Sequence, residues 1–219
     1  MRNTMLLFFI SIAGAMLNIA INRLGLATGI PLYVDTILTV SVTLAGGLFW
    51  GVVCGALSNI IGHSIWFRGW EMYLFTLCNI ATAFITWLFI RAFPRELQFR
   101  QAAPPTALKS NRLNIAMGRI IVLMLLSFAL CLAMSILGGS IAALIMGLSP
   151  SSIEAWYVTG ILSSTLFGYG LPLILVEILS RIPINIIDRL IAAFGGYGIA
   201  LALHGLLRRV EDSSGRAGI

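Results

Sequence analysis

The chain has very little charge: 10% of its 219 residues are Asp, Glu, Lys or Arg, against about 25% in an ordinary soluble domain. Hydrophobic residues make up 59%, so a water-soluble globule is excluded for want of polar surface to cover its core. Apolar–polar alternation over strand lengths is also lacking, which sets aside a β-barrel. Cysteine is sparse. Cys54, Cys78 and Cys131 fall in apolar runs without CxxC spacing or nearby histidines, so neither a disulfide framework nor a metal site is expected. Walker A, HExxH, GxSxG and kinase signatures are all missing. The chain is therefore not expected to be an enzyme or to need a cofactor. An intramembrane enzyme would rest on His63, Asp35 and Glu71, with nothing to fix a nucleophile or metal beside them.

What is present is a succession of apolar runs, each near the roughly 20 residues that a helix needs to cross a hydrocarbon core. Lipid offers no partners to exposed backbone groups, so each run must be helical. The expected architecture is an all-α integral membrane protein, one membrane domain of about six transmembrane helices. Spans are expected near 4–22, 31–47, 49–65, 71–91, 115–140 and 184–207. Arg2 and small residues give the first run some likeness to a secretory signal, but the many spans that follow make it a retained helix.

Basic residues set the expected topology. Arg91, Arg95, Arg100, Lys109, Arg112 and Arg119 surround one connection, and Arg208, Arg209 and Arg216 follow the last span. Short basic loops stay in the cytoplasm, which puts both segments and the N-terminus there, in the bacterial cytoplasmic membrane. Six crossings satisfy this and seven do not. Residues 141–182 are then expected to be an external or interfacial segment, broken by Pro150, Gly168, Gly170 and Pro172. Residues 93–113, with Pro94, Pro104 and Pro105, read as a cytoplasmic linker. The net charge of +6 follows from this topology and from contact with anionic membrane lipid; no nucleic acid partner is implied.

Ionisable groups at membrane depth cost several kcal/mol unless they face a cavity or a partner. Four places carry them. Asp35 follows Tyr33 at the outer end of the second span, where an acid also suits a helix N-terminus. Asn59 and His63 share a helix face with Trp66, leading to Glu71 and Tyr73; such a stripe can bind a ligand or a neighbouring helix. Asn79 shares a face loosely with Glu71. Glu177, Arg181, Asn185, Asp188 and Arg189 crowd the start of the last span, with i,i+4 pairing open to Glu177–Arg181 and to Asn185–Arg189. The triplets Gly168-Tyr169-Gly170 and Gly196-Tyr197-Gly198 lack the TVGYG context of a potassium filter and read as sites of close helix approach or bending.

Several stretches together resemble the substrate-binding S components of energy-coupling factor (ECF) vitamin transporters. They are Ile30-Pro31-Leu32-Tyr33-Val34-Asp35-Thr36-Ile37-Leu38, the Gly-rich hairpin from Ala45 to Ala56, and Pro183-Ile184-Asn185-Ile186-Ile187-Asp188. The resemblance implies a small-molecule substrate bound at the outer face. It also implies a transmembrane coupling subunit and two ATPase subunits as partners. The family's Ala-x-x-x-Ala docking face on the first helix is matched only by Ser11 and Ala15. A pocket lined by Tyr33 and Asp35, by His63 through Tyr73 and by Glu177 through Arg189 would suit a small polar heterocycle. The alternative is a membrane sensing module acting through a separate output protein, because similar Pro-Leu-Tyr-x-Asp segments occur in bacterial sensors.

Overall fold

A computed structural model describes residues 2–29, 32–65, 69–98, 109–148 and 159–216. Eight α-helices occur among them: α1 (Arg2–Ala27), α2 (Ile37–Gly46), α3 (Leu48–Ile65), α4 (Thr76–Ala92), α5 (Pro94–Leu97), α6 (Lys109–Leu148), α7 (Gly160–Gly168) and α8 (Leu173–Arg216). A 3-10 turn over Trp70–Phe75 leads into α4, and the described residues contain no strand. Five helical segments are long and apolar enough to cross a membrane, those beginning at Thr4, Leu48, Trp70, Leu113 and Leu173.

The second expected span differs. Helix α2 has 10 residues, about 15 Å at 1.5 Å each, and cannot cross a core of about 30 Å alone. Residues 32–36 before it are not helical because other elements take up their backbone groups. Asp188 of α8 accepts from the Val34 N–H at 2.8 Å, and Asn22 of α1 donates to the Tyr33 carbonyl at 2.6 Å. Irregular backbone is tolerated at membrane depth when protein supplies such partners. Val34 takes a φ of 41°, a left-handed value rare for a β-branched residue, and the bond its N–H donates to Asp188 holds it there.

The fifth and sixth expected spans are too short. Helix α6 runs for 40 residues and α8 for 44, and they form the most extensive helix pair among the described residues. Residues 141–148 and 173–182, expected outside the membrane, continue these two helices. Paired charges let α8 extend through 177–189 without meeting water, and Pro183 lies within it instead of ending it. Residues 149–158 of the expected external segment lie outside the described residues. Of the expected linker, Pro94–Leu97 form a helical turn, 109–113 belong to α6, and 99–108 lie outside the described residues.

Close approaches explain several glycines. A Cβ on Gly139 would stand 2.8 Å from the Ile178 backbone, and one on Gly196 would stand 2.8 Å from Val40. The second GYG triplet therefore seats α8 on α2. The first does not act this way: Gly168 and Gly170 face open space, and Tyr169 is exposed.

Asn18 knits the first three helices. Its Nδ2 reaches Thr39 Oγ1 at 3.1 Å and Ser58 Oγ at 3.2 Å, while its Oδ1 accepts from the Leu38 N–H at 3.0 Å. Thr36, at the α2 N-cap, makes no side-chain cap, so Asn18 fills that role from another helix. Asn18→Leu is expected to lower stability by about 1–3 kcal/mol, because a buried N–H and two hydroxyls lose their partner. Unfolding of the detergent-solubilised protein measures this, and a loss below a few tenths would show that the hub is not engaged.

Candidate functional site

A cavity of about 190 Å³ lies between the C-terminal halves of α1, α3 and α6 and the N-terminal halves of α4 and α8. It takes Asn18, Asn22 and Arg23 from the C-terminal half of α1, Tyr33 and Asp35 from the non-helical segment, and Ser58, Asn59 and His63 from α3. Phe75 enters from the end of the 3-10 turn, Cys78 and Asn79 from the start of α4, Met134 and Gly138 from α6, and Arg181, Asn185 and Arg189 from α8. Sequence separation places Arg91, Arg119 and the last turns of α8 at the opposite helix ends.

Two arginines organise the wall. Arg189 is buried and donates through Nη1 to Thr36 Oγ1 and through Nη2 to Asp188 Oδ2, both at 2.6 Å; Asp35 Oδ1 lies 3.7 Å from Nη2. Asp188 thus uses one oxygen on Arg189 and the other on the Val34 N–H. About two turns earlier in α8, Arg181 donates to the Tyr33 hydroxyl at 2.6 Å and pairs with Glu177 at 3.4 Å. Its guanidinium stands 5.8 Å from the ring centres of both Tyr33 and Phe75. Burying one of these charges unpaired would cost several kcal/mol, and pairing removes most of that penalty. The pairs also tie α8 to the segment ahead of α2.

Eight residues singled out from the sequence line the cavity: Tyr33, Asp35, Asn59, His63, Asn79, Arg181, Asn185 and Arg189. Glu177 and Asp188 do not line it and instead stand behind the two arginines. Tyr73 and Glu71 are not in the lining either; Tyr73 packs edge-on against the His63 ring and shares a hydrogen bond with Ser64 at 2.9 Å. Trp66 lies outside the described residues. The expected Asn185–Arg189 pairing is replaced: Asn185 donates to Ser135 of α6 at 2.9 Å, because Arg189 is drawn across to Thr36 and Asp188. Asn79 does bond a neighbouring helix, through the Gly55 carbonyl at 3.3 Å, while also lining the cavity.

Ser11 and Ala15 are wholly buried inside the chain and offer a partner no surface; the exposed side of α1 carries Phe8, Phe9, Met16 and Leu17. Sequence reasoning missed Asn18, Asn22 and Ser58. Asn18 and Asn22 are four apart in an apolar run, the same signal that singled out Asn59 and His63. Among the described residues no three His, Cys, Asp or Glu side chains are grouped as metal ligands would be.

No family model matches this chain, and neither curated proteins nor solved structures give a match. The cavity lining is apolar over much of the area, with converging amides and guanidiniums, as in small-molecule sites generally. Its volume falls below the roughly 300–1,000 Å³ of drug-sized sites, which suits an occupant of one ring or a short chain.

Proposed function

We propose that this chain is the substrate-binding membrane subunit of an ECF-type ABC importer. It captures a small water-soluble vitamin or related polar heterocycle at the outer face of a bacterial cytoplasmic membrane. A separate transmembrane coupling subunit and two ATPase subunits drive uptake. The observation that carries this reading is the polar cavity within an apolar helix bundle, where costly charges are retained and fixed in place around a space of ligand size. Topology supports the direction: the basic connections belong to the helix ends away from the cavity, and basic ends face the cytoplasm. The cavity then opens outward, with both termini inside.

Native mass spectrometry of gently purified chain is expected to show a retained small molecule and, from native membranes, the coupling and ATPase subunits. Deletion is expected to abolish uptake of that molecule. A bare chain with uptake of every tested vitamin unchanged would end the proposal. Co-purification with a kinase in place of an ATPase would transfer the cavity to a sensing role.

A further inference from the structure

Acids are shared out unevenly between the two sets of helix ends. Toward the cavity ends the sequence sets five acids against four basic residues, and Arg181 and Arg189 pair there with Glu177, Asp188 and Asp35. At the opposite ends it sets only three acids, Glu96, Glu211 and Asp212, against ten basic residues. Most of those cations can have no acid of this chain as a partner.

Arg119 is the sharpest case, because it is half-buried within the apolar part of α6. Its Nε donates to the Glu96 carbonyl of α5 at 3.1 Å, and its guanidinium lies 5.2 Å from the centre of the Tyr197 ring of α8. Glu96 supplies no counter-charge: its carboxylate lies beside Gly118, where an added Cβ would stand 3.7 Å from Oε1, and no described carboxylate forms an ion pair with Arg119. Carbonyl and ring fix the guanidinium in place, while both Nη groups keep N–H donors for an anion. A partly buried charge without a counter-charge is costly, and a phosphate taken by the guanidinium fork supplies one. Arg95, beside Glu96, and Arg91, one turn before it, are both exposed; Arg91 lies 5.0 Å over the Trp87 ring. From Arg119 toward the middle of α6, Ile120, Ile121, Met124 and Leu125 are exposed, a surface suited to acyl chains. A phospholipid brings both the anion and the chains; a soluble ion brings only the first.

We propose that the junction of α5, α6 and α8 binds the phosphate of an anionic phospholipid in the cytoplasmic leaflet. Arg119 is the fork that takes the phosphate, Arg91 and Arg95 flank it, and the acyl chains lie along α6. The site shares no residue with the cavity and stands whichever reading of the cavity holds.

Native mass spectrometry of the full chain in detergent, titrated with phosphatidylglycerol or with phosphatidylcholine of the same acyl chains, measures this. The parent is expected to prefer phosphatidylglycerol at least about tenfold, well within what three arginines near an anionic headgroup supply. Arg119→Gln should lower that preference about fivefold. Arg119→Lys should lie between, keeping the charge but not the fork. Arg2→Gln removes the same charge from α1, which packs on α2 and α3, and should leave the preference within about twofold of the parent. No preference in the parent would overturn the proposal, and so would equal losses from Arg2→Gln and Arg119→Gln, the mark of a diffuse field. Displacement of the lipid by an equal concentration of inorganic phosphate would also overturn it, because the acyl chains would then contribute nothing. If chain purified from native membranes kept a protein subunit at this junction and no anionic lipid, the junction would belong to that subunit. Should Arg119→Gln fail to fold, the parent's choice between the two lipids and its competition with phosphate still give the answer.

Discussion

Arg189→Met is expected to destabilise the protein by about 3–5 kcal/mol, the usual consequence of removing one partner from a buried ion pair. The loss follows from what stays behind. Asp188 is 1% exposed and would keep its bond from the Val34 N–H but lose its cation, while Thr36 Oγ1 would lose its donor. Asp35, 3.7 Å from the guanidinium, would lose its nearest positive charge as well. Adding Asp188→Asn to the same chain should return part of the stability, because a neutral amide needs no counter-charge. Arg189→Lys should lie in between, keeping the charge but not the fork that reaches Thr36 and Asp188 together. Reversible unfolding in detergent or bicelles gives all four values. If the methionine variant unfolded like the parent, Arg189 would not hold the non-helical segment onto α8.

The second large effect is expected at Gly139. A Cβ there would lie 2.8 Å from Cα and N of Ile178, and backbone cannot step aside as the end of a side chain can. Gly139→Ala should cost about 1–3 kcal/mol and Gly139→Leu more, since α6 and α8 must separate to admit the added atoms. Gly138 and Arg181 belong to the same stretch of contact, so separation should also widen the cavity and lower whatever affinity it has. Gly147 supplies the control within the same helix. Its Cβ would meet open space, and Gly147→Ala should be neutral or gain up to about 1 kcal/mol from helix propensity. Equal losses at the two glycines would mean that general helix behaviour, not the α6–α8 contact, sets the cost.

Much of the helical framework was legible in the sequence, because uninterrupted apolar runs admit no other backbone in lipid; α1, α3 and α4 lie close to the runs that signal them. The start of α2 was not legible. Residues 32–36 look like the rest of an apolar run, and what unwinds them is Asp188, more than 150 positions away. The length of α8 was hidden for the opposite reason. Hydropathy counts Glu177, Arg181, Asp188 and Arg189 as four separate penalties, whereas in the fold they cancel as two pairs and the helix runs on.

The candidate site divides the same way. Residue type and helical spacing marked Tyr33, Asp35, Asn59, His63, Asn79, Arg181, Asn185 and Arg189, because polar groups in an apolar run are conspicuous. Spacing could not say which would face the space and which would stand behind it. Glu177 and Asp188 were as conspicuous as the arginines they hold, and only the three-dimensional pairing separates the two roles. Ser11 and Ala15 show a related ambiguity: small size permits close approach, to the chain's own helices, where both are buried, as readily as to a partner's.

Helices α6 and α8 have one more consequence. Their apolar portions, Leu113–Leu148 and Leu173–Leu207, span 36 and 35 residues, or about 50 Å each, against a hydrocarbon core of about 30 Å. Tilts of up to about 40° absorb only part of this hydrophobic mismatch. If both helices lie in the bilayer along this whole length, the surrounding bilayer must stretch around the pair, or the pair must lean and carry the cavity wall with it. Acyl-chain length would then become a variable of the site: thicker membranes would match these two helices better, and thinner ones would load the mismatch onto the junction that Arg189 and Gly139 hold together.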